Sequence, residues 1–351
     1  MQLKRIVEEY HKGDVSLATV ASHSSLQLLH GAKKEGLRTI LIVKEDRLKF
    51  YRNFNHLIDE FIIVNEWKEI LNRETQEYLI SKNAIVIPHG SFVEYIGAHS
   101  IVNDFKVPVF GSRKILLWES EQDKKMELLE KAGIKIPKRF NSPDEVDRPV
   151  IVKLGGAKGG RGYFIATSSD EVKRGLEKLG LKDRNYIIQE YVIGVPAYFH
   201  IFNSKIMNRI EITGMDIRYE SNVDGLRRLP PRILDEIGVM PSFTVIGNIP
   251  MVLRESLLIK VYEYAENFVN ATKKFVGEEL VGPFCLESIV KDDGEIVVFE
   301  FSGRIVAGTN IYVNGSPYSY YYWDEPMSVG RRIAREIKIA HQRGMLTDII
   351  N

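Results

Sequence analysis

Short apolar, β-branched runs alternate with longer helical patterns through the first third of the chain. That alternation restricts it to an α/β fold with a mostly parallel sheet at its start. The spacing predicts strands over 17–21, 39–43, 60–64 and 84–88, and a helix over 24–35 closed near Gly36. A boundary is expected between about 109 and 118, followed by a charged helix over 121–132. Beyond it, strands over 149–153 and 163–166 enclose a glycine-rich loop, a helix follows over 169–179 and a strand over 186–190. Antiparallel strands are expected over 197–202 and 209–213, then an ill-patterned stretch to Pro241 and a long helix over 254–274. Strands over 283–290 and 295–301, joined by the turn Lys291-Asp292-Asp293-Gly294, and a helix over 327–343 close the chain. With 351 residues the chain exceeds one ordinary core, and three regions are expected: 1–115, 116–194 and 195–351.

Charge separates the candidate partners. Lys and Arg total 48 against 47 for Asp and Glu, so no global field favours a nucleic acid or an acidic membrane. The single cysteine, Cys285, lies in the apolar run Phe284-Cys285-Leu286 and reads as a packed thiol, consistent with a reducing cytoplasm. The first residues, Met1-Gln2-Leu3-Lys4-Arg5, lead into a charged amphipathic stretch, and no segment approaches eighteen uninterrupted apolar residues. A cytoplasmic chain with no membrane partner is the expectation.

The loop from Gly155 to Gly162 carries the most chemistry. Glycines let backbone amides approach phosphate oxygens, and Lys153, Lys158 and Arg161 supply cationic charge for a triphosphate. The Gly-Lys-Ser/Thr ending of a Walker loop is absent. A plain exposed hairpin is the alternative reading. Further on, Ile187-Ile188-Gln189-Glu190-Tyr191-Val192 puts an acid at the end of an apolar strand, where it could hold an adenine amino group and ribose hydroxyls or be an ordinary surface carboxylate.

Glu287 and Glu300 each interrupt an otherwise apolar strand. If those strands form a hairpin, the two carboxylates approach each other, and like charges so placed call for a cation between them. Hard oxygen ligands suit magnesium carrying nucleotide phosphates; the alternative is that one of the two faces solvent on an edge strand. Ser302 and Arg304 continue from Glu300 at period two, so the guanidinium could balance the acids or stabilise a phosphoryl group in flight. At the carboxyl ends of two predicted parallel strands stand Ser22-His23-Ser24-Ser25 and His89-Gly90-Ser91, the usual ligand edge of such a sheet. Ser24 or Ser25 is alternatively a helix cap.

Glycine-rich hairpin, strand-terminal Gln189-Glu190 and paired strand glutamates stand in the order that resembles the ATP-grasp fold, here preceded by a parallel-sheet domain. The segments Ala21-Ser22-His23-Ser24-Ser25-Leu26, Ile87-Pro88-His89-Gly90-Ser91-Phe92, Phe110-Gly111-Ser112-Arg113, Gly214-Met215-Asp216-Ile217-Arg218-Tyr219-Glu220, Gly247-Asn248-Ile249-Pro250 and Gly282-Pro283-Phe284-Cys285-Leu286 are more distinctive. Over nearly the whole chain they resemble the archaeal formate-dependent 5-formaminoimidazole-4-carboxamide ribonucleotide synthetases of purine (IMP) synthesis. The resemblance implies formylation of the aminoimidazole carboxamide ribonucleotide by ATP and formate, through formyl phosphate. It implies that His23, Ser24, Ser91 and Asn248 contact the ribonucleotide, and that Lys153, Gly156, Lys158, Gly159, Gly160, Arg161, Gln189, Glu190, Tyr191, Val192 and Glu220 contact ATP. Glu287 and Glu300 would hold Mg2+ or Mn2+, Arg304 and His23 would serve catalysis, and the subunits would assemble into homo-oligomers. Ser302 stands where many ATP-grasp enzymes carry a metal-binding Asn, and Glu287 can be Gln in relatives. An ATP-grasp ligase for another acid or amine, or a non-catalytic nucleotide binder, are the competing readings.

Overall fold

The apolar runs of the first third assemble side by side: β1 (Ser16–Val20), β2 (Arg38–Lys44), β3 (Glu60–Val64) and β4 (Ala84–Val86) pair in parallel, in the order β3-β2-β1-β4. Every residue of β1 and β4 is buried, as expected for strands covered on both faces. The computed structural model describes residues 2–154, 163–178, 180, 186–220, 222–237 and 244–351. Helix Ser25–Glu35 follows β1 and ends on Gly36, whose φ of 80° satisfies the last turn as a left-handed cap. The strand predicted over 84–88 is shorter, because His89 turns the chain into helix Gly90–Ile96.

A small antiparallel sheet follows, ordered β5-β8-β6-β7, from β5 (Arg139–Phe140), β6 (Val150–Leu154), β7 (Tyr163–Ala166) and β8 (Tyr186–Glu190). Helix Ser169–Lys178 packs Val172 and Leu176 onto its core. The third sheet, ordered β11-β10-β9-β12-β13, is antiparallel and longer: β9 (Val195–Ser204), β10 (Arg209–Glu220), β11 (Val245–Pro250), β12 (Gly282–Val290) and β13 (Ile296–Ser302). The stretch to Pro241 that looked ill-patterned in sequence holds the second half of β10 and helices Val223–Leu226 and Pro231–Ile237, and β11 follows it. One face of this sheet, through Phe199, Ile201, Phe284, Leu286 and Phe301, buries against helix Glu255–Ala271, whose Phe268 ring lies 5.6 Å from Phe284 and 4.8 Å from Phe301.

The last elements return to the first sheet. Helix Val329–Gln342 crosses helix Ser25–Glu35 backbone to backbone: a Cβ on Gly31 would lie 2.2 Å from Arg331 N, and one on Gly330 2.4 Å from Gln27 O. Only glycines permit that approach. Glu35 takes ion pairs from Arg331 at 2.7 Å and Arg335 at 2.5 Å across the crossing. Beyond the helix, Val109 and Asn351 exchange backbone hydrogen bonds of 3.0 and 2.9 Å, while Val109 bridges Val86 of β4. The aromatic run over 318–323 forms helix Pro317–Trp323, with Tyr318 buried and Tyr320 and Tyr321 exposed. No helix among the described residues is long and apolar enough to cross a membrane.

Candidate functional site

Register decides which side chains of the third sheet meet. Asp216 lies opposite Tyr198, Tyr198 opposite Glu287 and Glu287 opposite Glu300; one step along, His200 lies opposite Cys285 and Cys285 opposite Ser302. Directly paired residues project to the same face, so a file of polar groups backs onto the apolar face described above. The β12–β13 register skips Phe299, and this bulge lets its ring stand edge-on to Tyr198, with centroids 6.2 Å apart, beside Glu300.

The two glutamates come together as the sequence suggested, and each already has a cation. Glu287, 4% exposed, pairs with Arg218 at 2.9 Å and accepts from Ser302 Oγ at 3.1 Å. Glu300 pairs with Lys125 of helix Gln122–Lys131. Burial alone would raise the Glu300 carboxyl, but Lys125 and Lys153 outweigh it and hold it below the usual carboxylate range. For Lys125 the balance runs the same way: burial would lower the ammonium, and Glu300 raises it. Burial lowers Lys153, whose Nζ lies 5.8 Å from the Phe299 ring centroid. Lys153 on β6 thereby brings the small sheet over the acids on β12 and β13.

Arg218 and Lys125 were not singled out from sequence. Arg218 sits 3.9 Å from the Tyr198 ring, and Glu287 keeps it firmly protonated despite burial. The alternation Asp216, Arg218, Glu220 was its signal, hidden because the predicted strand stopped at 213. Lys125 precedes the buried Leu128 and Leu129 by three and four positions, so it shares their inward face.

A second group forms where the first sheet meets the end of β13. His23 Nδ1 lies 2.7 Å from Ser24 Oγ, and Ser22 Oγ 2.5 Å from Ser91 Oγ. Ser24 makes no side-chain cap to the helix it precedes. His23 opens to solvent on one side, with protein on the others; that burial and nearby Arg304 push its imidazole down to about 4. His89 is wholly buried, with Nε2 3.0 Å from Val20 O and Nδ1 accepting from Phe92 N at 3.4 Å. A carbonyl only accepts, so Nε2 carries the hydrogen and His89 is a neutral bolt between β1 and helix Gly90–Ile96. Arg304 lies past the end of β13, and its guanidinium meets Glu119 at 2.8 Å, whose other oxygen accepts from Gly303 N at 2.9 Å. Glu119, also missed from sequence, ties helix Arg113–Ser120 to this corner.

The remaining candidates border these groups. Asn248 donates to Asp216 at 2.6 Å, and Asp216 also meets His200 Nε2 at 2.7 Å. Gln189 is buried on β8; Glu190 receives Lys138 N at 3.0 Å and Arg148 at 3.3 Å, and Val192 follows the strand half-buried. Burial, and then Glu220, raises the Tyr191 phenol, which places that ring near the end of β10. Glu220 itself is raised to about 7 by burial and by Asp224, with Arg218 opposing. Gly156, Lys158, Gly159, Gly160 and Arg161 lie outside the described residues.

Known proteins are similar along the full length. A domain of unknown function (DUF1297) matches residues 168–351, and a protein of unknown function (DUF1246) matches residues 17–140. A 5-formaminoimidazole-4-carboxamide-1-(beta)-D-ribofuranosyl 5'-monophosphate synthetase from Ignicoccus hospitalis is 66% identical over 350 residues, covering 100% of both chains. A protein of the same name from Sulfurisphaera tokodaii is 56% identical, covering 95% of this chain and 99% of its own. The crystal structure of an IMP biosynthesis protein PurP from Thermococcus kodakaraensis superposes with a TM-score of 0.77 at 32% identity, covering 95% of this chain and 100% of that one. The ADP complex of purK, an N5-carboxyaminoimidazole ribonucleotide synthetase, shares the fold alone, at a TM-score of 0.64 and 14% identity, covering 92% of this chain and 76% of that one.

Proposed function

We propose the following reaction for this chain, which belongs to the 5-formaminoimidazole-4-carboxamide ribonucleotide synthetase family: ATP- and formate-dependent formylation of the 5-aminoimidazole-4-carboxamide ribonucleotide. Its fold is the ATP-grasp fold preceded by a parallel-sheet domain, and it is an ATP-dependent ligase of purine biosynthesis. The observation that carries the site assignment is the in-register pair Glu287 and Glu300, roofed by Lys153 and adjoining the Arg304–His23 corner.

Formate is a poor acyl donor because its leaving group would be oxide. Transfer of the γ-phosphoryl group to a formate oxygen gives formyl phosphate and ADP; the ribonucleotide amine then attacks the formyl carbon, phosphate departs, and the amine proton leaves with it. Lys153 faces the phosphates, with Gln189, Glu190, Tyr191, Val192 and Glu220 holding the nucleoside and Gly156, Lys158, Gly159, Gly160 and Arg161 covering the triphosphate. Ser24, Ser91, His23 and Asn248 hold the ribonucleotide, and Arg304 offsets charge on the transferring group. No covalent enzyme nucleophile is required.

Glu287 and Glu300 suit a divalent cation, Mg2+ or Mn2+, because two hard carboxylates share one register position; an ion bound there would compete with Arg218 and Lys125 for them. No group of three or more His, Cys, Asp or Glu among the described residues is placed to hold a metal, so the phosphates would complete the shell. When bound, the ion neutralises phosphate charge. The division into a ribonucleotide-binding domain over 1–115, a small lobe over 116–194 and a large lobe over 195–351 follows the same reading.

The test is turnover by purified protein with ATP, magnesium, formate and the ribonucleotide, each omitted in turn. ADP and formylated product are expected together only in the complete mixture. ADP without that product would move the reading to another acid or amine, and no ADP in any mixture would make the chain a non-catalytic nucleotide binder. The Glu220 carboxyl near 7 adds a pH signature. Ribose hydroxyls bond more strongly to an ionised carboxylate than to a neutral carboxyl, so KM for ATP is expected to fall several-fold between pH 6 and 8. In Glu220→Gln that dependence should flatten.

A further inference from the structure

Asp216 is a buried acid that neither the metal position nor the nucleotide contacts account for. It lies on β10, 1% exposed, and both its oxygens are taken: His200 Nε2 lies 2.7 Å from Oδ1, and Asn248 Nδ2 donates to Oδ2 at 2.6 Å. His200 is equally buried, and its Nδ1 has no partner among the described residues. Gly308 packs its backbone against the pair, since a Cβ there would fall 2.3 Å from Asp216 Oδ1 and 2.9 Å from His200 Nε2. The carboxylate is held on three sides.

That arrangement decides which way round the half-buried Asn248 amide sits. A carboxylate oxygen only accepts, so the amide turns its nitrogen to Asp216 and its Oδ1 away. β11 and β12 are three strand spacings apart, on the order of 14 Å, which sets Asn248 well away from Glu287 and the phosphoryl group in transfer. The unreacting carboxamide of the acceptor ring suits that distance better than the attacking amine does. We propose that the Asp216–His200 pair positions Asn248 so that its Oδ1 accepts from the carboxamide NH2 of the acceptor ribonucleotide, and that this selects a carboxamide over a carboxylate at that ring position. The inference rests on the formylation reading and adds to it the device that recognises the base. A carboxylate on the same ring would set acceptor against acceptor, with no hydrogen between them.

The experiment reads binding to the full chain by calorimetry, for the carboxamide ribonucleotide and for its analogue with a carboxylate in that place. The unsubstituted chain should bind the carboxamide at least about tenfold more tightly, the worth of a hydrogen bond against an unpaired acceptor. Asp216→Asn keeps the shape and reverses the polarity. His200 Nε2 still donates to the oxygen at 216, so the new amide nitrogen faces Asn248, turns that amide over and sends Nδ2 toward the ligand. The carboxamide should then bind on the order of tenfold to a hundredfold more weakly and the carboxylate more tightly, with ATP affinity unchanged. In Asn248→Ala the preference collapses, and adding Asp216→Asn to it changes neither affinity. Where Asp216→Asn does not fold, the unsubstituted chain decides: the Asn248 side-chain amide protons, assigned by their loss in Asn248→Ala, exchange slowly with solvent before any nucleotide is added. Equal binding of the two nucleotides by the unsubstituted chain, a preference that survives Asn248→Ala, equal weakening of both in a folded Asp216→Asn, or amide protons protected only once nucleotide is bound overturns the proposal. Because binding is read and not turnover, absence of formylated product would count against the reaction alone.

Discussion

Glu300→Gln is expected to cut ATP turnover on the order of a hundredfold to a thousandfold, the usual loss when a preorganised electrostatic group is removed from a reacting centre. The reason lies in its neighbours. Lys125 and Lys153 both hold the Glu300 carboxyl below its usual range against the opposing pull of burial, so it is ionised throughout neutral pH. The amide keeps the shape and removes the charge. Lys125, only 12% exposed, is then left without its nearest counter-charge. Glu287→Gln should be milder, because Arg218 lies partly open to solvent and can be hydrated. The check is ADP release across a magnesium titration; Glu300→Gln within a few-fold of the unsubstituted chain at every magnesium concentration would remove this acid from the centre.

The largest stability effect is expected far from that site. Arg332 has no exposure, and its guanidinium binds Glu211 at 2.9 and 3.2 Å and Glu336 at 2.8 Å, over the Phe202 ring at 4.2 Å. Arg332→Met strands the buried Glu336 carboxylate and leaves Glu211 with Arg209 as its one cation, and breaking such a buried pair typically costs about 3–5 kcal/mol. Burial would raise Glu211, but Arg332 and Arg209 bring it below its ordinary value. A depressed carboxyl stabilises the fold above its unfolded pKa, and that stability is lost as pH falls through the folded value. The deficit of Arg332→Met should therefore be full at neutral pH and shrink under acid, as read from urea midpoints at pH 7 and pH 4. Replacing Glu211 and Glu336 by apolar residues as well should recover much of the loss.

What the sequence disclosed followed from periodicity and from chemistry out of place. The parallel sheet was legible because its strands are uniformly apolar, and Glu287 and Glu300 because an acid in an apolar strand demands an explanation. Lys125 and Arg218 were not, since each lies among other charges and only the packing separates an inward cation from a solvated one. His89 stood beside Ser91 in one loop with the same apparent prospects, yet its ring is spent on Val20 and Phe92. Helix Pro231–Ile237 and β11 escaped because their residues are largely exposed and leave no amphipathic trace.

The exchange of backbone bonds between Val109 and Asn351 has a consequence for how the chain is made. Val109 already bridges β4, so the edge of the sheet translated first is covered by residues translated more than two hundred positions later. During synthesis that edge stands open, with Val107, Val109 and Phe110 unshielded, for the whole interval in which the other two sheets emerge. Loop closure over such a separation is slow compared with local pairing. Folding on the ribosome should thus stall with the first sheet paired but unsealed, and protease should cut near 107–111 in ribosome-bound nascent chains but not in the released chain, where residues 349–351 can pair.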